Sequence, residues 1–327
     1  MLLLSAAALQ CGCAAVFDEA NALAITPYHV EDTGRVVIET RINDSGPFNF
    51  ALDTAASISA VFEKTRVALG IDYLPGQRAI IHGAVGSEQF PLIRADAIRV
   101  GDETWSDARV VSMPGETAAS ASIDGILGID FLRRYAVGFD TRQGTVQLYP
   151  PELVDHDALR GWAAVPLDAQ PVGRSGAALY FFEVEINGRR IPALFDLGAG
   201  LNVINRSAAQ ILDLEPAELR EQDRVFSDAH AETPVLARYT AGEVRMAGLR
   251  WRDEPFSVID LGVFTTIMLD DRPAAILGAG MFTNRRFLID FARGRLLVKI
   301  SNADRNRSSS AHQESGAYLS TMGVKPP

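Results

Sequence analysis

The chain is poor in cysteine, in lysine and in long apolar runs. Its two cysteines, Cys11 and Cys13, both lie in the opening stretch Met1 to Val16, which is apolar or small and carries no charge. A chain trimmed behind that stretch has no cysteine, which excludes a disulfide framework and thiol chemistry. Only Lys64, Lys299 and Lys325 are lysines among 31 basic residues, a bias of base composition rather than of function. Basic residues are outnumbered, and the formal net charge is −10. That excludes the phosphate-neutralising surface a nucleic-acid binder needs. No Gly-x-Ser-x-Gly elbow occurs, which disfavours a serine hydrolase. The five histidines (His29, His82, His156, His230, His312) are scattered without metal-ligand spacing, so no metal is expected. "LGAGMF" (Leu277 to Phe282) has Thr283 where a dinucleotide loop has its third glycine, and no strand–helix alternation surrounds it.

What is present is ordinary for a folded chain: 47% apolar and 22% charged residues. The 327 residues suggest about two domains. A membrane helix needs about 20 apolar residues, so the opening stretch is short for one. It fits the apolar part of a secretory leader, with small-x-small sites at Ala20-Asn21-Ala22 and Ala22-Leu23-Ala24. No basic residue precedes Arg35, so the usual basic start is missing. Residues 1–24 are read as the leader of an exported protein, periplasmic or secreted. "LQCGC" also resembles a bacterial lipoprotein site. Gly12 before Cys13 fits that pattern and Gln10 before Cys11 does not, so a lipid anchor through Cys13, or else Cys11, is a minor alternative.

The strongest internal signal is a repeat. Residues 35–71 and 178–214 share an alternating run and then a turn, Asn43-Asp44-Ser45-Gly46 in one and Asn187-Gly188 in the other. Asn-Gly between alternating runs marks a hairpin. A second apolar run follows in each, ending at Asp53 in "ALDTAAS" and at Asp196 in "ALFDLGAG". Small residues, an apolar pair (Val61-Phe62; Val203-Ile204) and a short helical pattern (63–69; 206–213) close each unit. Both halves later read Ile-Leu-Gly, at Gly128 and Gly278, then a turn, a strand with an acid (Asp140; Asp290) and a last strand. The class is mainly β. The expected organisation is an amino-terminal lobe over 25–150, a linker over 151–176, a second lobe over 177–300 and a disordered tail over 301–327. Asp140 and Asp290 precede Gly turns and read as structural. One Asp after a strand is commonly a turn or cap residue; two, each with a matched Ile-Leu-Gly, argue for a shared purpose.

The motifs Asp53-Thr54-Ala55-Ala56-Ser57 with Ile126-Leu127-Gly128, and Asp196-Leu197-Gly198-Ala199-Gly200 with Ile276-Leu277-Gly278, resemble those of the pepsin/retropepsin-like aspartic peptidases. The likeness covers about residues 35–300 and is nearest to bacterial proteins with two retropepsin-like units in one chain. It implies two pseudo-symmetric β-barrel lobes with a cleft between them, and a monomer that hydrolyses polypeptides. It implies Asp53 and Asp196 as a catalytic pair and no cofactor. Thr54, Ala55, Ser57, Leu197 and Gly198 fall on the active-site loops, with Gly128 and Gly278 supporting them. "AIIHGAVGSEQF" (Ala79 to Phe90) corresponds to a flap, with His82, Gly83, Ala84 and Gly86 at its tip; Ser227 to Thr233 lies at the matching place in the second half. Two carboxylates a few ångströms apart do not both ionise easily and share a proton. One can then take a proton from water while the other gives one to a carbonyl. The pattern departs at Ala55, where the family has Gly, and at Leu197, where it has Thr or Ser. Thr54 can brace the opposite loop and Leu197 cannot. A peptide-binding pseudopeptidase, weak or inactive, is therefore the alternative.

Overall fold

The computed structural model describes residues 19–83, 86–115, 122–153, 161–172, 177–214, 225–227, 232–301 and 304. The first lobe contains β1 (Ala24–Val30), β2 (Val36–Ile42), β3 (Ser45–Leu52), β4 (Ala60–Phe62), β5 (Tyr73–Gly83), β6 (Gly86–Val100), β7 (Glu103–Met113), β8 (Gly125–Leu127), β9 (Ala136–Asp140) and β10 (Thr145–Tyr149). Two strands follow, β11 (Trp162–Pro166) and β12 (Asp168–Val172). The second lobe contains β13 (Ala177–Ile186), β14 (Arg189–Asp196), β15 (Asn202–Ile204), β16 (Val225–Ser227), β17 (Glu232–Pro234), β18 (Ala237–Met246), β19 (Leu249–Val258), β20 (Ala275–Gly278), β21 (Arg286–Asp290) and β22 (Arg295–Lys299). Helices are short: α1 (Glu63–Ala68), α2 (Ile129–Leu132), α3 (Arg206–Ile211) and α4 (Gly262–Thr266). No helix among the described residues is long and apolar enough to cross a membrane.

Each lobe closes a sheet on itself. In the first the order is β2-β3-β8-β4-β7-β6, closed by pairing of β6 with β2. In the second it is β13-β14-β20-β15-β19-β18, closed by β18 with β13. The two circuits match strand for strand, so the duplication in the sequence is a duplication of barrels. The paired turns match as well. Asn187 and Gly188 both take positive φ, 44° and 79°, as a two-residue hairpin turn demands. Asn43 and Asn187 each bond through their side chains to a distant strand of their own barrel, at the Ala97 and Glu243 N–H groups.

Two expectations need correction. The apolar pair of the first half is Ala60-Val61, not Val61-Phe62. Ala60 pairs with Ile126 as Val203 pairs with Ile276, and Ala60 and Val203 stand equally far beyond Asp53 and Asp196. The span 151–176 is also not merely a linker. β11 pairs with β22 and β12 with β13, just as β1 pairs with β10 and then with β2. Together β11 and β12 are the second lobe's version of β1, broken at Leu167.

The lobes are joined by a shared sheet, in which β9 and β21 pair antiparallel across the boundary from Ala136–Asp290 to Asp140–Arg286. Phe139 stacks on Phe287 across this seam at 4.5 Å. Asp140 holds its own turn through the Arg142 and Gln143 N–H groups and meets Arg286 of the other lobe at 3.1 Å. Asp290, fully buried, caps its turn at the Arg293 N–H and accepts from Arg295 at 2.9 Å. Both acids are structural.

Candidate active site

Each candidate acid ends a strand that lies parallel to an Ile-Leu-Gly strand. Leu52 pairs with Leu127, and the Asp53 N–H donates to the Leu127 carbonyl at 3.0 Å. Asp196 pairs with Gly278. The glycines below the loops are required by space. A Cβ on Gly128 would come within 2.5 Å of the Ala56 carbonyl, and one on Gly278 within 2.3 Å of the Ala199 carbonyl. Each glycine N–H donates to a buried side chain of its own lobe, Ser59 Oγ at 3.0 Å and Asn202 Oδ1 at 3.1 Å. Ser59 in turn donates to Asp130, through its hydroxyl at 2.6 Å and its N–H at 2.9 Å. Burial pushes the Asp130 carboxyl up, against the hydrogen bonds from Ser59. Phe195, next to Asp196, is wedged edge-on against Phe282 and Phe287, which leaves the end of β14 little freedom.

The two acids meet. Gly198 sits between them, its N–H donating to Asp196 Oδ1 at 2.7 Å. Asp53 lies against Gly198, where a Cβ would stand 2.6 Å from its Cγ. Protein surrounds both, yet each keeps some solvent-accessible surface. Their surroundings differ. Asp53 Oδ1 accepts from the Ala55 and Ala56 N–H groups, both at 2.8 Å. Asp196 Oδ1 accepts from the Gly198 N–H at 2.7 Å. Burial raises the Asp53 carboxyl, and the two N–H groups and the Arg35 charge pull it back. Burial, followed by the charge of Asp53, pushes Asp196 well above the usual carboxylate range. Two backbone N–H groups on Asp53 against one on Asp196 favour the charge on Asp53 when the pair holds one proton. The pair titrates jointly.

A hydroxyl ties the loops together from one side. Thr54, fully buried, donates to the Phe195 carbonyl at 2.7 Å and accepts from the Leu197 N–H at 3.0 Å. Leu197, also fully buried, belongs to the main apolar cluster and returns no such bond. Ala55 does not take a positive φ, so its Cβ costs no backbone strain there. It packs instead against the second lobe's apolar cluster. Ser57 sits half-buried further along the same loop.

The β5–β6 hairpin pairs out to Gly83 and Gly86 and approaches α4 of the other lobe. Ala84 lies outside the described residues, as does the His82 side chain. The matching hairpin of the second lobe, β16 with β17, forms a separate two-stranded sheet. Sequence reasoning missed Ser59, Asn202, Asp130 and Arg35. Ser59 and Asn202 were findable as the lone polar residues equally far beyond the two acids.

A family model described as "Aspartyl protease" matches residues 38–131 and 182–280. Among solved structures the chain is similar to conglutin gamma, a basic 7S globulin from lupine seeds, at 12% identity and a TM-score of 0.49, over 85% of this chain and 95% of that one. A search of curated proteins found no match.

Proposed function

The chain belongs to the aspartyl protease family, and on that premise we propose that it is an endopeptidase in which Asp53 and Asp196 share one proton and activate water. The observation that carries this reading is the unequal pair: two acids, one from each lobe, on either side of Gly198, with two backbone N–H groups on Asp53 and one on Asp196. Asp53, the anion held by two N–H groups, takes a proton from a water placed between the acids. Asp196 gives its proton to the oxygen of the scissile carbonyl, and a proton then passes to the leaving nitrogen. The β5–β6 hairpin covers an extended polypeptide, and no cofactor takes part.

The test is cleavage of a peptide library by the wild type, by Asp53→Asn and by Asp196→Asn. General acid or base groups contribute about 100-fold to 10,000-fold in rate, so either substitution should remove at least that much with the circular dichroism unchanged. Full activity in Asp53→Asn refutes the assignment. The second reading, a peptide-binding pseudopeptidase, is favoured by Leu197 in place of a bracing hydroxyl. It holds if the wild type binds extended peptides and cuts none. Export is part of the proposal, as a monomer in the periplasm or medium. Cleavage after Ala22 leaves the Leu23 N–H bond to Leu148 and the buried Ala24 in place, whereas cleavage after Ala24 removes both.

A further inference from the structure

The turn between β1 and β2 belongs to the first lobe and presses on the second lobe's loop. Gly34 takes φ +88°, and a Cβ there would lie 2.5 Å from Gly200 Cα. A Cβ on Gly200 would lie 1.5 Å from the Thr33 carbonyl oxygen. Backbone meets backbone here with no room for a side chain on either partner, four residues beyond Asp196. The turn is internally fixed. The Gly34 N–H donates to the Glu31 carbonyl at 2.8 Å, and the Glu31 N–H to the Arg35 carbonyl at 3.1 Å. The Glu31 carboxylate also accepts from the Thr33 and Ser122 hydroxyls. Arg35 follows Gly34 directly. It is 9% exposed, which a guanidinium tolerates only in a site built for it. One of its nitrogens stands 3.7 Å from the Glu31 carboxylate.

We propose that Arg35 is a positioning residue of the acid pair: the Gly34–Gly200 contact locks its turn onto the second lobe's loop, and its buried guanidinium keeps one carboxyl ionised, tempered by Glu31. Charged groups that meet or feel Arg35 include Glu31 from its own turn, Asp53 from the first loop and Asp196 from the second. Its charge favours the anionic form of both acids. Burial acts in the opposite direction on both. Without a nearby cation, the pair would stay doubly protonated to a higher pH, and a doubly protonated pair has no base for water. By register the position of β13 that matches Arg35 is Leu179, while residues 173–176 before β13 lie outside the described residues. The catalytic consequence rests on the peptidase reading, while the electrostatic one does not.

The experiment uses the full chain with Arg35→Gln, Arg35→Lys and Glu31→Gln. Two readouts are taken: carboxyl titration by NMR of carbon-13-labelled aspartate, with signals assigned through Asp53→Asn and Asp196→Asn, and the pH profile of peptide cleavage. Arg35→Gln should move the titration and both limbs of the profile to higher pH. Arg35→Lys should restore them toward the wild type, and Glu31→Gln should move them to lower pH. A merely structural arginine would lower activity at every pH without moving the profile. Arg35→Gln titrating as the wild type overturns the proposal. If Arg35→Gln does not fold, an unmoved titration in Glu31→Gln overturns it instead. A moved titration in a protein that cuts nothing leaves this inference standing and removes the peptidase reading. Cleavage with an unmoved titration does the reverse.

Discussion

Replacing Thr54 by valine removes a hydroxyl and keeps the shape of the side chain. Thr54 is fully buried, and its hydroxyl serves two backbone groups of the opposite lobe, the Phe195 carbonyl at 2.7 Å and the Leu197 N–H at 3.0 Å. Valine leaves both without that partner. A buried polar group stripped of its partner costs about 1–3 kcal/mol, so the expected loss is roughly 2–6 kcal/mol. That is a large share of a typical folding stability of about 5–15 kcal/mol. Thr54→Ser keeps the hydroxyl and loses one methyl, for about 1 kcal/mol. The assay is equilibrium urea unfolding followed by tryptophan fluorescence, to which Trp105 in the first barrel, Trp251 in the second and Trp162 on β11 all contribute. Thr54→Val should shift the midpoint far more than Thr54→Ser, and cleavage should fall with it. Leu197 returns no bond, so nothing takes over the brace. If the valine and serine variants agree within about 0.5 kcal/mol, smaller than the cost of even one unpaired group, the hydroxyl does not hold the lobes together and the reasoning fails.

Two other predictions follow from the same geometry. Asp196→Asn should stabilise the protein at neutral pH. The folded form keeps a proton on Asp196 above the ordinary value of 3.8, so wild-type stability falls as pH rises through the window between that value and the raised one. Asparagine has no such window; the gain in melting temperature should be absent below it and grow through it, and a gain independent of pH contradicts the sign. Gly198→Ala sets a methyl 2.6 Å from Asp53 Cγ. It should abolish cleavage at an overpacking cost of about 1–3 kcal/mol, and a fully active, equally stable variant would show that Asp53 does not need that space.

Much of the architecture was legible because the repeat carries its own pairing instructions. Matched turns, strands leading to an acid and paired Ile-Leu-Gly segments marked a duplicated β-rich unit, and the resemblance to aspartic peptidases implied the barrels. The cross-lobe bond of Thr54 was implied by that resemblance, in which both equivalent positions carry a hydroxyl that Leu197 lacks. β11 and β12 were hidden because Pro166 and Leu167 interrupt the run that β1 makes in one piece, so proline looked like linker. The one-residue slip at Ala60 came from aligning by hydrophobicity, where Val-Phe outweighs Ala-Val, instead of by distance from the acid. Arg35 left almost no trace. An arginine before a strand is ordinary, and only the contact of its turn with Gly200 brings it to the second lobe's loop.

The one-sided brace has an evolutionary meaning. In an assembly of two identical subunits each substitution is made twice, and a leucine at the hydroxyl position would strip both loops of their anchor together. Joining the copies in one polypeptide removes that obligation. Thr54 against Leu197, and Ala55 against Gly198, are differences that identical partners could never adopt.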